Sequence, residues 1–283
     1  GKLYNVAAAY SDGHLLGLVP KAYIPNYSEF YEARHFTAAP VGCTSVTWQD
    51  GTTVPFGTDL LFTCKTMPGL KVAAEICEDL WTPNPPSVCH AMHGATVIVN
   101  LSASDEVTGK DSYRRDLVKI QSGRLVCGYI YASAGEGESS TDLVFGGHHL
   151  IAENGSVLAE SERFTNETIY GDLDIERLVG ERRHYTTYDV IADADGYIEV
   201  EYEMASADAA FDRCVDKAPF VPGRKEEREK RCEEILAIQS MGLKKRMEHT
   251  HCKSVVIGIS GGLDSTLALL VAARAVDRLN LPR

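Results

Sequence analysis

The sequence predicts an α/β layered fold, and three observations predict it. Apolar runs at 72–76 and 95–101 have the length and continuous hydrophobicity of buried strands. Strand-like runs then alternate with loops and helical stretches, the order of packed α and β layers. Asp12-Gly13 and Asn154-Gly155 each stand between two strand-like runs, which is a strong hairpin signal.

Taken in order, residues 3–10 and 15–19 read as two strands joined at Ser11-Asp12-Gly13-His14. The second delivers Pro20-Lys21. Residues 22–36 read as an aromatic, mixed-charge loop. Shorter strands are expected near 45–48 and 60–64, followed by the strand at 72–76. Pro83, Pro85 and Pro86 keep the next helix from starting until about Ser87. After the strand at 95–101 and a polar loop at 102–109, residues 112–125 read as a helix with Tyr113, Leu117, Ile120 and Leu125 on its apolar face. A strand at 126–133 runs into the turn Gly135 to Ser140. Strands at 149–153 and 157–159 flank Asn154-Gly155. Regular patterning fades over 176–217, which reads as a connecting region. Pro219 and Pro222-Gly223 mark its end. Residues 224–249 read as a helix with Cys232, Ile235, Leu236, Ile238, Met241 and Met247 on its apolar side. Last come a buried strand at 254–260, a tight turn at 261–265 and a helix at 266–279.

The chain has 283 residues, 44% hydrophobic and 24% charged, the composition of a globular protein of about two domains. A net charge of −12 argues against a general nucleic-acid binder. No apolar run is long enough to cross a membrane. Eight cysteines with no Cys-x-x-Cys pair point to a reducing, cytoplasmic compartment rather than a disulfide framework. Cys89, His90 and His93, and His249, His251 and Cys252, lack a second ligand pair, so no metal site is expected of them.

Cys77 stands at the end of a buried strand, followed by Glu78, Asp79, Leu80 and Trp81. A cysteine beside a strand is most often a small buried hydrophobe. The string Ala74-Glu-Ile-Cys-Glu-Asp-Leu-Trp81, with Val19-Pro-Lys21-Ala-Tyr upstream, instead resembles the nitrilase-type glutaminase half of glutamine-dependent NAD+ synthetases. The resemblance implies that Cys77 is a nucleophile and Lys21 an oxyanion-stabilising lysine. It implies that Glu32 is a second glutamate near the nucleophile, although a surface acid reads equally well. For glutamine it points to Tyr27, Ser104 and Lys110. The α-amine also needs acceptors such as Glu78, and Arg114 competes with Lys110 for the α-carboxylate. The family's general-base glutamate precedes its lysine. No glutamate occurs before Lys21, so the base and the first elements of the domain are expected to lie outside this chain.

Ser260-Gly-Gly-Leu-Asp-Ser265 lies between a strand-like run and a helix. Two glycines permit a sharp turn, and the helix directs its positive end to the same place, an arrangement that suits phosphate. Asp264 fits there as a helix cap or against Mg2+. No Walker-type motif is present. The string resembles the pyrophosphate loop of ATP pyrophosphatases, which implies an ATP site at Gly258, Ser260, Gly261, Gly262, Leu263, Asp264 and Ser265.

The expected architecture is therefore a nitrilase-like α-β-β-α layered domain over 1–175, N-terminally truncated. A connecting region over 176–217 leads to the start of a Rossmann-like adenine-nucleotide hydrolase domain over 218–283. The resemblance implies ATP, Mg2+, glutamine and deamido-NAD+ as the small molecules, and a homo-oligomer. The alternative is a stand-alone carbon–nitrogen hydrolase, an amidase or nitrilase, which needs no ATP loop.

Overall fold

The computed structural model describes every residue except 139–141, 189–195, 206–211, 214, 216 and 283. Ser139, Ser140, Cys214 and parts of the expected connecting region therefore lie outside the described residues. The chain divides into two compact units, Gly1–Arg213 and Cys214–Arg283. No described helix is long and apolar enough to cross a membrane.

The first unit is built on two sheets. β1 (Val6–Ser11) and β2 (His14–Pro20) form the hairpin that Asp12-Gly13 signals, and both turn residues have positive φ. β3 (Thr44–Thr47) and β4 (Thr53–Phe56) complete a sheet in the order β1-β2-β4-β3. β4 escapes the sequence pattern because Pro55 interrupts it. It is tolerated because β4 meets β2 only through the pair Leu18–Phe56.

The larger sheet contains β5 (Leu60–Cys64), β6 (Lys71–Ile76), β7 (Val97–Ser102), β8 (Gly128–Ser133), β9 (Leu150–Glu153), β10 (Ser156–Glu160) and β11 (Ile198–Tyr202). Its order is β10-β9-β8-β7-β6-β5-β11, with β6, β7 and β8 parallel. Parallel neighbours need crossovers, and α1 (Pro86–Met92) and α2 (Lys110–Arg124) supply them. Ala73, Ile98 and Tyr129 face these helices, packing with Ala91 and Val118. On the other face, Ala74 and Ile76 pack with Ala7 and Val19 of the small sheet. Val97 meets Ile175 and Leu178 of α3 (Ile175–His184) on that same side. The result is a nitrilase-like α/β domain with helices, large sheet and small sheet in layers; of the expected α-β-β-α order, no helix is seen packed on the outer face of the small sheet among the described residues. The outermost cluster, Leu18, Val54 and Phe56, draws only on the small sheet and the chain leading into it.

Two expectations for this unit need correction. On α2 the buried positions are Arg114, Val118, Gln121 and Ser122, whereas Tyr113 and Ile120 are 62% and 63% exposed. The inward stripe is polar because its residues have specific partners: Gln121 donates to Ser87 Oγ, and Ser122 Oγ accepts from Gly155 N. Residues 176–217, expected as a connection, contain α3 and β11. β11 pairs in parallel with β5 as the last strand of the large sheet, and its Glu199 meets Lys71. Charge on an edge strand masked its alternation.

The second unit holds α4 (Lys225–Thr250) and α5 (Leu263–Arg278). The expected strand at 254–260 is not formed. A strand exists by pairing, and no other strand is present among the described residues of this unit. The expected apolar side of α4 is largely exposed, with only Ser240 and Met247 buried. α4 is held to α5 by Glu233, which accepts from Arg274 at 2.6 and 2.8 Å.

The corrected face of α2 is directly measurable by urea unfolding. Val118→Ala, which empties part of the core, is expected to cost about 2 kcal/mol. Ile120→Ala is expected to change stability by less than about 0.5 kcal/mol. The reverse order would restore the original assignment.

Candidate active site

β6 ends at Ile76, and Cys77 opens a 3-10 turn, Cys77–Trp81. Cys77 has φ +48°, a left-handed conformation that β-substituted residues adopt at a cost of about 1 kcal/mol. Two hydrogen bonds hold it there. Cys77 N donates to Asn100 Oδ1 at 3.1 Å, and Ile76 N donates to Asp79 Oδ2 at 2.8 Å. The sharp reversal aims the thiol out of the sheet.

Lys21 follows β2, and only 1% of it is exposed. Its Nζ donates to Glu32 Oε1 at 2.7 Å and Oε2 at 2.8 Å. Glu32 comes from a short 3-10 turn, Glu32–Arg34. Lys21, Glu32 and Cys77 line one cleft of about 350 Å³, together with Asn5, Ser102 and Ser133. Burial pushes the Cys77 thiol up, against the opposing pull of the Lys21 ammonium. Ser133 Oγ is buried and has no hydrogen-bond partner among the described residues.

Of the residues expected to recognise an amino acid, Tyr27 and Lys110 share Phe30, and Lys110 also meets Trp81. Tyr27 OH donates to Glu78 Oε1 at 2.6 Å, and that bond pushes the phenol up to about 12. Tyr27 also meets Phe30 edge-on at 6.0 Å. The Lys110 ammonium lies 5.4 Å over the Trp81 ring and 5.9 Å from the Phe30 ring, and it pairs with Asp105. Ser104 is buried and accepts from Arg114 Nη2 at 3.3 Å. Arg114 is wholly buried and also donates to Glu106 at 2.6 Å, to His148 and to the Asp105 carbonyl. Those bonds commit Arg114 to the scaffold, which leaves Lys110 as the more accessible cation for a carboxylate.

Behind Cys77 runs a buried polar chain that sequence reasoning missed. Ser102 Oγ donates to Asn100 Oδ1 at 2.7 Å, and Asn100 Nδ2 donates to Tyr129 OH at 3.2 Å. Tyr129 OH donates to Glu75 Oε1, and Ser87 N donates to Glu75 Oε2 at 2.9 Å. Burial raises Glu75 from 4.5 to about 7. The one signal in the sequence is that Glu75 and Asn100 interrupt otherwise apolar strands.

In the second unit, Gly261 has φ +83°, the conformation that favours glycine. Ser260 N donates to Ser265 Oγ at 3.3 Å, and Ser265 Oγ donates to the Gly262 carbonyl at 3.1 Å. The loop thus closes on itself at the start of α5. Gly262 is the N-cap, and no side chain caps the helix, so Asp264 sits in the first turn rather than acting as a cap.

This arrangement, a thiol on a strained strand end beside a buried lysine–glutamate pair in an α/β sandwich, defines a class of hydrolase-like proteins. The chain belongs to the carbon-nitrogen hydrolase family, whose model matches residues 1–183. The model described as NAD synthase matches residues 235–282. The chain is 41% identical to a protein of Mycobacterium tuberculosis named glutamine-dependent NAD(+) synthetase, covering all of this chain and 43% of that one. The human protein of the same name is 31% identical over 71% of this chain and 30% of its own length. The chain thus spans less than half the length of the curated relatives it matches. Among solved structures, a glutamine-dependent NAD(+) synthetase from Cytophaga hutchinsonii aligns at TM-score 0.52 and 25% identity, over 97% of this chain and 36% of that one. A carbon-nitrogen hydrolase from Helicobacter pylori aligns at 0.52 and 19% identity over 64% of this chain and 60% of that one, a likeness of fold.

The buried Glu75 has a consequence for stability. Its folded pKa is raised, so between pH 4.5 and about 7 the native state binds more protons than the unfolded state. Stability therefore falls as pH rises through that window. The shift corresponds to on the order of 3 kcal/mol. Glu75→Gln is expected to flatten the fall in urea midpoint between pH 5 and 8, and an unchanged slope would exclude Glu75 as its source.

Proposed function

We propose that this chain is the glutaminase and the beginning of the synthetase part of a glutamine-dependent NAD+ synthetase. The convergence of Lys21, Glu32 and Cys77 on one cleft carries the reading. It is supported by a second family match, at 235–282, which a stand-alone amidase or nitrilase would not require.

In this reading the Cys77 sulfur attacks the side-chain carbonyl carbon of glutamine. Because burial holds the thiol proton, a base must take it as the S–C bond forms. The resemblance gives that task to a glutamate that residues 1–20 do not contain. Lys21 Nζ faces the oxyanion, and Glu32 keeps the ammonium oriented. Collapse of the tetrahedral intermediate breaks the C–N bond, and the leaving nitrogen takes the proton and departs as ammonia. Water then splits the thioester, releasing glutamate and restoring the thiol. Lys110 meets the substrate's α-carboxylate, and Glu78 and Tyr27 meet its α-amine, with Ser104 beside them.

In the second unit, the loop at Gly258, Ser260, Gly261, Gly262, Leu263, Asp264 and Ser265 receives the phosphates of ATP. The carboxylate of deamido-NAD+ attacks the α-phosphate of ATP, pyrophosphate leaves, and ammonia then displaces AMP from the acyl adenylate. One carboxylate with two hydroxyls is a hard-oxygen set that suits Mg2+ completing its shell with phosphate and water. Asp264, Ser260 and Ser265 would hold it, and it would neutralise phosphate charge. The reading includes a homo-oligomer in a reducing, cytoplasmic setting, in keeping with described cysteines that are all unbridged.

The test is NAD+ formation by a polypeptide of the relatives' length carrying this sequence, with glutamine or ammonium as donor. Cys77→Ala is expected to lower glutamine-supported synthesis at least 1,000-fold, on the scale of losing a nucleophile, and to spare the ammonium-supported rate. Survival of both activities would make Cys77 a structural thiol. Absence of both in the unaltered protein would favour the stand-alone hydrolase.

A further inference from the structure

Asp79 has none of the roles above, yet it bonds to both segments that carry them. Its carboxylate is buried. Oδ1 accepts from Tyr23 N at 2.8 Å, and Oδ2 accepts from Ile76 N at 2.8 Å and from Ala22 N at 3.4 Å. Ala22 and Tyr23 follow Lys21 directly, and Ile76 precedes Cys77. The Asp79 carbonyl also accepts from Thr82 Oγ1 at 2.9 Å, which fixes the far end of the 3-10 turn. Capping that turn explains the bond to Ile76 alone. It does not explain two backbone donors from a segment more than 50 residues away.

We infer that Asp79 is a positioning residue that clamps the Lys21 segment to the Cys77 turn, so that the ammonium stays beside the thiol. The inference rests on the reading of Lys21 and Cys77 as a working pair. An aspartate suits the task because both oxygens accept, and three N–H groups point at them. Asparagine keeps the shape but offers only one accepting atom, so its amide nitrogen would face backbone donors. Burial without those donors is costly: the carboxyl is already pushed up to about 6 by desolvation, with the three N–H groups pulling it down.

The sign of one measurement separates the possible roles of Asp79. Lys21 and Glu32 are the charged groups that bear on the Cys77 thiol, with the Tyr27 and Tyr131 phenols nearby. Removing a neighbouring negative charge, taken alone, makes a thiol easier to ionise and moves its profile to lower pH. Displacing the lysine moves the profile to higher pH. The readout is the pH dependence of iodoacetamide alkylation at Cys77, followed by peptide mass spectrometry on the chain as it stands. Asp79→Asn is expected to raise the midpoint by about 0.5–1 pH unit. Lys21→Met should raise it at least as far, and the double variant no further than Lys21→Met.

A folded Asp79→Asn protein, by circular dichroism, with an unchanged or lowered midpoint would overturn the inference while a shifted Lys21→Met profile left the lysine–thiol reading standing. An unmoved Lys21→Met profile would overturn both. If Asp79→Asn does not fold, Tyr23→Pro removes the N–H donated to Oδ1 and keeps the Asp79–Ile76 bond. It too must raise the midpoint, and no shift would overturn the inference.

Discussion

Val72, Val97 and Gly128 stand in register across β6, β7 and β8, so Ile76, Leu101 and Ala132 lie side by side near the carboxyl ends of the three strands. The residues that follow them are Cys77, Ser102 and Ser133, and all three line the same cleft. Parallel strands make this possible because their carboxyl ends open on one edge, where side chains can leave the sheet together. The small sheet then contributes from the other side. β2 ends at Pro20, and Lys21 enters the cleft from its end. The packing of Ala7 and Val19 against Ala74 and Ile76 fixes that approach, so the apolar contact between sheets sets the geometry of a polar site.

The polar groups behind the cleft are expensive to bury and are bonded accordingly. Glu75, Asn100 and Tyr129 each occupy the helix-facing side of a strand, where Ala73 and Ile98 are neighbours. A buried carboxyl or amide without a partner costs about 1–3 kcal/mol. Here each group has partners, and the chain of bonds reaches the Cys77 N–H through Asn100. That bond falls on the one residue of the turn whose backbone is left-handed, and it holds Cys77 in that conformation.

Much of this was legible because local patterns and long-range packing agree. The apolar runs of β6 and β7 and the two glycine hairpins needed no tertiary knowledge. The failures share a different cause. Tyr113 and Ile120 read as inward-facing because they are apolar, but the inward stripe of α2 is chosen by partners on other elements, Ser87 and Gly155 among them. β11 reads as a charged stretch until β5 lies beside it. The apolar run at 254–260 has the sequence of a strand without a described strand to pair with. The site divides in the same way. Cys77 and Lys21 sit in recognisable strings, whereas the partners of Asp79 are backbone N–H groups, which carry no mark in a sequence.

The Lys21 ammonium brings these threads together. It is buried, and its hydrogen-bonded partner is Glu32, which takes it with both oxygens. An ammonium has three N–H donors. Two directed at Glu32 leave the third for the cleft, where Cys77 also opens. The pair is close to neutral overall, which is how a lysine remains inside the protein without leaving a net charge unpaired. An oxyanion forming on a carbonyl beside Cys77 would meet that remaining donor in a site already desolvated, where the interaction is stronger than in water. The same desolvation raises the thiol. In the proposed reaction, burial would strengthen the lysine's hold on a developing negative oxygen, and it makes the thiolate harder to form. Both effects would favour, in that reaction, proton removal from sulfur in step with attack rather than a standing thiolate in the resting site.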